Sequence, residues 1–485
     1  MSDMGLSIVA SGLNAVTAEL NTASNNLSNI NTPGYATEQV DLSPEAANGP
    51  FGAGQGVLVG SVTRLSDAVY VAANIAAQGV QGAASQASTV MSSIESIFPE
   101  PSSTGLNSQL STLWSDLSAL SANPSQSGAQ QAVVGAAQTV AGTISGSYSQ
   151  LAQLGSSLQS QVGSGSNDGG WLAQANSLLT QVSRLNAGIV AGASGGQDVN
   201  SLIDQSITAV NKLAGLLGVS ATTAPNGSIS VYLNGVQLVG GDVAQTLSTT
   251  GSALTADFGI ATANGVAVDA GGSIGANITA VNTTIPSYQS QLNSVADSLA
   301  TSLNSLQGSG MAANGDPGSA IAGGYAGTVL PNIFVDNGST AAYSVSSGSL
   351  NSAATIGVSP ALSADSSLLA TASAPGPANS NVIGTPTLDG TNAQAMAALA
   401  TSASGPDVLY RTMIGALGTQ SANASTVATT ASNLATTASN NISAVSGVNM
   451  NNEELKVLAA QNDFQAISKV VNAITTSLQA LMQAV

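Results

Sequence analysis

The residue types that usually carry enzyme chemistry are scarce in this chain. Its 485 residues include no histidine and no cysteine. That removes the base of a Ser/His/Asp or Cys/His nucleophile, and also disulfides and imidazole or thiolate metal ligands. No lysine follows a glycine, so a phosphate-binding P-loop is absent from the sequence. We therefore expect no catalytic residue, no cofactor site and no metal site.

Carboxylates are the remaining chemical candidates, and their positions favour structural roles. Glu453 and Glu454 fit the first turn of a last helix, where the helix dipole favours negative charge, better than they fit a glycosidase pair. The segments 314–318 (NGDPG) and 168–170 (DGG) have turn composition. A calcium site at 314–318 would need more carboxylates than the segment offers.

The composition points to a polar but nearly uncharged surface. Charged residues make up 6% of the chain, against about 25% in ordinary soluble domains, while 43% are hydrophobic. Copies with such a surface repel each other weakly, so lateral packing is easy. The net charge of −18 and the scattering of the six basic residues exclude nucleic acid and anionic membranes as partners. These basic residues are Arg64, Arg184, Lys212, Arg411, Lys456 and Lys469.

Both ends of the chain carry apolar residues at seven-residue spacing, which is typical of a coiled-coil seam. We call these sets the N-terminal and C-terminal seams. The N-terminal seam comprises Leu6, Val9, Leu13, Val16, Leu20, Leu27 and Ile30. The C-terminal seam comprises Val457, Phe464, Ile467, Val471, Ile474, Leu478 and Leu481. The pattern predicts that the ends pair with each other or with copies of themselves.

A seam of this kind has an alternative interpretation, because a heptad stripe also occurs on helices of an intramolecular core. Periodicity alone does not decide between the two. Isolated helices of this length are marginal in water. We therefore expect both termini to be disordered in the free monomer and to fold on assembly.

Apolar periodicity and turn residues predict an α+β multidomain fold, in which long coaxial helices from both termini enclose inserted β-rich modules. The predicted helices cover 6–30, 67–91, 106–122, 126–161, 171–190, 197–218, 276–306, 391–445 and 451–484, the last capped by Asn451 or Asn452. The predicted strands cover 57–59, 228–233 and 236–239, the last two joined by an Asn234-Gly235 turn. The expected domains are an N-terminal arm (1–65), a helical rod domain (66–220 with 276–310 and 391–445), a β-rich module (221–275), a Gly/Ser-rich module (311–390) and a C-terminal coiled-coil helix (446–485).

Targeting signals do not mark the sequence. The first basic residue is Arg64, so the positive start of a secretory signal peptide is missing. Ser, Thr, Asn and Gln interrupt every long uncharged stretch, and we expect no membrane-spanning helix. If the protein works outside the cell, it leaves without a cleaved signal peptide.

The segment 20–35, LNTASNNLSNINTPGY, resembles the N-terminus of flagellar axial proteins, the family of rod, hook and hook-associated subunits. Segments 110–141, 176–218 and 446–455 are similar to the hook-associated members that lie between hook and filament. These members usually have Arg where Gln130 stands, and Tyr and Arg within the stretch matching 459–466. The motif residues matched here are Asn25, Asn26, Asn31, Gly34, Tyr35, Ser446, Gly447, Val448 and Asn449.

The resemblance implies a structural subunit of the extracellular flagellum. Copies would form a ring joining hook to filament, with terminal helices in the inner tube and β-modules outside. The implied partners are further copies, the hook protein, a second junction protein leading to flagellin, and a cytoplasmic chaperone that holds the C-terminal seam before type III export. Alternatives are another axial subunit, such as a hook or rod protein, or a secreted adhesin or extracellular enzyme.

Overall fold

The computed structural model describes residues 2–46, 54–163, 169–252, 256–313, 315–317, 329–336, 352–373 and 388–484. Long helices dominate this part of the chain. In order, all its α-helices, long and short, are α1 Ser2–Ser28, α2 Ala68–Ile97, α3 Leu106–Ala122, α4 Ser127–Val162, α5 Trp171–Ser194, α6 Asn200–Leu217, α7 Gly272–Thr279, α8 Ile285–Ser309, α9 Ser352–Thr355, α10 Pro360–Ala364, α11 Thr391–Ala397, α12 Pro406–Ser446 and α13 Met450–Ala484.

Strands form small antiparallel sheets between the helices. Their order is β1 Glu38–Pro44, β2 Val57–Arg64, β3 Ser220–Thr223, β4 Ile229–Leu233, β5 Val236–Gly240, β6 Val243–Ala244, β7 Leu247–Thr250, β8 Gly259–Thr262, β9 Ala267–Val268, β10 Gly310–Ala312, β11 Phe334–Asp336, β12 Ile356–Val358 and β13 Ala370–Ser373. The sheets are β1-β2, β3-β4-β5-β6, β7-β8-β9, β10-β13 and β11-β12. The predicted α+β multidomain fold is confirmed.

The first and last helices, α1 and α13, pack against each other in an antiparallel register. A Cβ placed on Gly5 would lie 3.8 Å from Ile474 Cδ1, and one on Gly12 would lie 3.4 Å from Ile467 Cδ1. Each step of seven residues along α1 therefore matches a step of seven back along α13. This register is what two facing heptad patterns produce, and it confirms the predicted coaxial helices from both termini.

The α1–α13 contact covers only one side of each seam. Among the seam residues whose side chains are described, Val16 is buried, whereas Leu6 is 38% and Phe464 45% exposed. The side chain of Leu481 lies outside the described part. Half-buried positions are Val9, Leu13, Leu20, Leu27, Ile30, Val457, Ile467, Val471, Ile474 and Leu478. An intramolecular core helix would bury more of these side chains, so the structure leaves apolar surface for a neighbour.

The main hydrophobic core lies in the helical domain, where α2 packs on α6, α7 and α12, and α4 packs on α3 and α8. Its centre is built from apolar residues at helical spacing, which turns one face of each helix inward. Fully buried members include Leu110, Leu117, Ile144, Leu151 and Leu213. Trp114 belongs to this core as well.

Glycines allow α2 to approach α6 at backbone distance. A Cβ on Gly82 would overlap the carbonyl oxygen of Gly215, and the hydroxyl of Ser273 lies 3.2 Å from both of their carbonyl oxygens. At the end of α6, Gly218 adopts φ +69°, the left-handed conformation that ends a helix. The close approach fixes where α6, and the residues it carries, sit relative to α2.

Several element boundaries differ from the prediction. The segment 391–445 is not one helix, because a 3₁₀ turn, Ala398–Thr401, and an extended Gly405 separate α11 from α12. The predicted helix 276–306 contains a π-helical turn, Ala280–Thr284. The predicted caps Asn451 and Asn452 lie inside α13, and the cap is Asn449, whose Oδ1 accepts the Asn452 N–H at 3.2 Å.

The structure describes the predicted hairpin of the first β-module and parts of the second module. Asn234 and Gly235 form the expected turn between β4 and β5, with φ values of +45° and +85°. The segment 311–390 contains the short helices α9 and α10 besides strands. Much of that segment, including Asn314 and Gly318, lies outside the described residues, as does Asp168.

Candidate functional site

Asn26 is the centre of a hydrogen-bond network that joins α1, β1 and α13. It is fully buried, with 0% exposure. Its Nδ2 donates to the Glu38 carbonyl oxygen at 2.9 Å and to Glu453 Oε2 at 3.0 Å. Its Oδ1 accepts the Glu38 N–H at 2.9 Å and the Tyr35 hydroxyl at 2.7 Å. An amide has two donors and two lone pairs, so every bond that Asn26 can make is made.

Neighbouring asparagines of the motif finish α1 and support the same network. Asn25 Nδ2 donates to Glu38 Oε2 at 3.2 Å, and Asn29 Nδ2 donates to the Asn25 carbonyl oxygen at 3.0 Å. Thr32 Oγ1 donates to Asn29 Oδ1 at 3.1 Å, which stabilises the turn after the helix. Asn31 is exposed. The local bonds of these side chains compete with helix continuation and explain why α1 ends here.

The next motif residues dock the β1-β2 hairpin onto α6. Gly34 adopts φ +83°, and a Cβ there would overlap the Thr208 hydroxyl of α6. The position therefore requires glycine for two reasons, the backbone conformation and the lack of space. The Ala36 N–H donates to Asp204 Oδ2 at 3.1 Å, and Arg64 of β2 forms an ion pair with the same carboxylate. Asn200 Nδ2 donates to the Val62 carbonyl oxygen at 3.1 Å.

The C-terminal motif meets the hairpin from the other side. The Thr37 N–H donates to the Ser446 carbonyl oxygen at 2.8 Å, where α12 ends. Gly447 then closes α12 by donating its N–H to the Ser443 carbonyl oxygen at 2.9 Å. The half-buried Val448 follows, and Asn449 caps α13. The four motif residues thus form the link between α12 and α13.

We call the set Asn26, Tyr35, Glu38, Arg64, Asp204 and Glu453 the joint, because it connects the terminal helices to the helical domain. Burial raises the pKa of Glu38, and the nearby Asp198 carboxylate raises it further. Burial also raises the pKa of Asp204, although the Arg64 guanidinium opposes this. Burial and the charge of Glu38 raise the pKa of Tyr35, so its hydroxyl stays protonated and donates.

Five motif residues belong to the joint or contact it: Asn25, Asn26, Gly34, Tyr35 and Ser446. The hydrogen bond from Tyr35 to Asn26 shows an aromatic residue that closes a turn against a helix. Sequence reasoning missed Glu38, Arg64 and Asp204, and it gave Glu453 only a helix-dipole role. A usable signal existed in Arg64, since an isolated basic residue in such a chain suggests a specific acidic partner.

Metal-binding clusters and membrane-spanning helices are both absent from the described residues. Their His, Cys, Asp and Glu side chains form no group of three or more able to hold a metal ion. No helix in the described ranges is long and apolar enough to cross a membrane. The pronounced features of this part of the chain are therefore its contacts between elements.

Comparisons with known proteins agree with the family resemblance. Residues 91–321 match the family described as the flagellar hook-associated protein FlgK helical domain, and residues 6–35 match the flagella basal body rod protein family. In the solved structures, the flagellar hook junction protein FlgK from Burkholderia pseudomallei aligns with a TM-score of 0.58 at 16% identity, covering 75% of this chain and 98% of that chain. At this identity the alignment supports the fold.

Three curated relatives carry the name flagellar hook-associated protein 1. The protein from Escherichia coli is 28% identical over 323 residues, which is 64% of this chain and 58% of that protein. The Salmonella typhimurium protein is 29% identical over 49% of this chain and 43% of its own length. The Bacillus subtilis protein is 27% identical over 46% and 45%. The chain thus spans roughly half the length of the relatives it matches. The helical domain, the N-terminal motif and the fold of this chain are thus all similar to those of flagellar hook-associated protein 1.

Proposed function

We propose that this chain is a structural subunit of the bacterial flagellum that forms the junction ring between hook and filament and allows flagellin to assemble. The observation that carries the proposal is the antiparallel α1–α13 pair, whose seams keep exposed apolar side chains such as Leu6 and Phe464. Apolar surface of this kind is covered by neighbouring copies when an axial tube forms. The similarity to flagellar hook-associated protein 1 supports the same role.

Because the joint connects the terminal helices to the helical domain, the parts of the subunit would lie in successive layers of the axial tube. The α1–α13 pair forms the inner layer, the helical domain surrounds it, and the β-modules face outward. A ring between two different tubes needs two dissimilar end faces on one subunit, which is a heterologous contact. The low charge of the chain favours this packing because like-charge repulsion between copies is small. The role is mechanical rather than catalytic.

The partners follow from this position. Further copies complete the ring, the hook protein contacts one face, and a second junction protein leading to flagellin contacts the other. The chain reaches its place through the flagellar type III apparatus without a cleaved signal peptide. A cytoplasmic chaperone masks the C-terminal seam before export, since exposed apolar residues such as Phe464 and Val470 would otherwise promote premature association.

Deletion of the gene tests the proposal. The expected cells carry hooks but no filaments and release flagellin into the medium, and the intact gene restores filaments. Immunogold labelling in the restored cells should mark the hook–filament boundary. Loss of hooks, or label along hook or rod, would instead support another axial subunit. Normal filaments with label on the cell surface would support an adhesin.

A further inference from the structure

Four carboxylates and two cations meet at the joint. Glu38 comes from β1, Asp198 from the loop before α6, Asp204 from α6 and Glu453 from α13. Arg64 of β2 and Lys456 of α13 carry the positive charges. The flanking clefts add Lys212 on the α6 side and Glu19 and Asp463 on the α1–α13 side. Negative charge therefore exceeds positive charge around a largely buried contact.

The two cations are already committed to other carboxylates. Arg64 pairs with Asp204, and Lys456 Nζ lies 2.7 Å from Glu453 Oε1. Glu38 is 7% exposed, and among the described residues its carboxylate has the side chains of Asn25, Asn200 and Tyr35 as hydrogen-bond partners but forms no ion pair with a cation. It faces the Asp198 charge instead. A buried carboxylate of this kind is stabilised by protonation.

We propose that Glu38 makes the joint a proton-operated lock, in which proton uptake tightens the docking of the β1-β2 hairpin onto α6 and α12, and proton release loosens it. When the hairpin detaches, Glu38 returns to water and away from Asp198. The docked state therefore holds the proton more tightly than the detached state, since burial raises the pKa in the docked state alone. Docking strengthens as the pH falls through the docked-state pKa and weakens above it.

The lock has reporters built into the backbone. The Ala36 N–H is held by Asp204, and the Thr37 N–H is held by Ser446 at the end of α12. Both bonds must break when the hairpin lifts, so their exchange with deuterium measures opening. The inference does not depend on the flagellar role, because it concerns the isolated chain.

Hydrogen–deuterium exchange of the full chain at pH 5.5 and 7.5, corrected for the intrinsic pH dependence of exchange, tests the lock. Peptides covering 36–44 and 57–65 should be protected about twofold more at pH 5.5, because the full factor of about ten for a one-unit pKa difference develops only below the ordinary glutamate pKa. Glu38→Gln should give high protection at both pH values, because the neutral amide imitates the protonated acid.

Asp41→Asn is the matched control, because it removes an exposed carboxylate from the same strand and should keep the wild-type pH response. Asp198→Asn alters only an exposed residue and should reduce the response, which keeps the test valid if Glu38→Gln folds poorly. Equal protection of the wild type at both pH values, or an unchanged response in both Glu38→Gln and Asp198→Asn, would overturn the proposal.

Discussion

The side-chain amide of Asn26 lies 3.0 Å from the carboxylate of Glu453, although 427 positions separate the two residues in the chain. Both are buried, Asn26 fully and Glu453 with 2% exposure. This bond fixes the register of α1 on α13 at the point where both helices meet the rest of the molecule. A polar contact at a single place in an otherwise apolar seam is a known way of specifying register.

Replacing Asn26 should be costly for stability. Asn26→Ala leaves the Glu38 N–H and the Tyr35 hydroxyl without the Asn26 acceptor, and Glu453 Oε2 without the Asn26 donor. We expect the free energy of unfolding to fall by about 3 kcal/mol, since each buried group left unpaired costs about 1–3 kcal/mol. Urea unfolding followed by circular dichroism measures the change. Asn31→Ala, at an exposed motif position, should stay within about 0.5 kcal/mol of wild type, and equal effects would contradict the role of Asn26.

The close approach of α2 and α6 should make Gly82 intolerant of a side chain. Gly82→Ala forces a methyl group onto the Gly215 carbonyl oxygen, and overpacking of this kind costs about 1–3 kcal/mol. Gly142 of α4 is the matched control, because a Cβ there meets no atom within 4 Å. Gly142→Ala should raise stability by about 0.5–1 kcal/mol, as alanine favours a helix. Thermal unfolding should therefore shift in opposite directions for the two variants.

The N-terminus of α12 offers a pH-dependent test. Trp114 Nε1 donates to Asp407 Oδ2 at 2.8 Å, and burial raises the pKa of Asp407 against the opposing effects of Trp114 and Arg411. The folded state thus binds the proton more tightly, so Asp407 lowers stability progressively as the pH rises from its unfolded-state pKa through its folded-state pKa. Asp407→Asn should raise the melting temperature at pH 7 and lose this advantage near pH 4. Asp269→Asn, at an exposed carboxylate, should show no such pH-dependent gain.

The terminal helices should loosen progressively with distance from the joint. Ala23 and Ala460, close to the joint, are buried, whereas Ile467 and Ile474 are only half-buried. Disorder of both termini in the free monomer remains a prediction. The gradient of burial indicates that this disorder should end near the joint, where the side chains become buried. Hydrogen exchange of the monomer should be fastest at the chain ends and slowest near Asn26. Uniform, strong protection along the whole of α1 and α13 would contradict both expectations.

Removal of the C-terminal seam should separate folding from assembly. A variant lacking 457–485 retains the helical-domain core, which α13 does not share, so it should stay soluble and keep its main unfolding transition. It should not restore filaments to cells that lack the gene. Size-exclusion chromatography and motility measure the two properties, and normal filaments with this variant would refute the assembly role of the seam.

Long periodic helices were predictable because their signals are local and repeated. Leu110, Leu113 and Leu117 define α3 to the residue, and the Asn234-Gly235 turn follows from backbone preferences alone. The predicted helix boundaries were wrong where tertiary contacts determine the end of a helix. One example is Gly405 before α12, where neighbouring carbonyl oxygens leave little room for a side chain. Helix propensity carries no information about such contacts.

The joint was only half predictable, for a related reason. The sequence motif drew attention to Asn26 and Tyr35, but their partners Glu38 and Glu453 become apparent only when β1 and α13 are placed. Asp204 lies in α6, whose sequence does not distinguish it from an ordinary amphipathic helix. Its role depends on the ion pair with Arg64, which forms only when β2 packs beside α6. Buried polar networks join residues that are distant in sequence. A single sequence can therefore suggest which residues take part, but it does not show which of them bond to each other.

The antiparallel register of α1 and α13 has a practical consequence for labelling. Because Gly5 lies opposite Ile474, the first and last described residues emerge at the same pole of the molecule, beside the seams. A fluorescent or affinity tag fused to either terminus would crowd the same layer and interfere with it. The Asn234-Gly235 turn joins β4 and β5, which pack on α6 and α5 rather than on α1 or α13, so we expect a short epitope inserted there to leave the seams free.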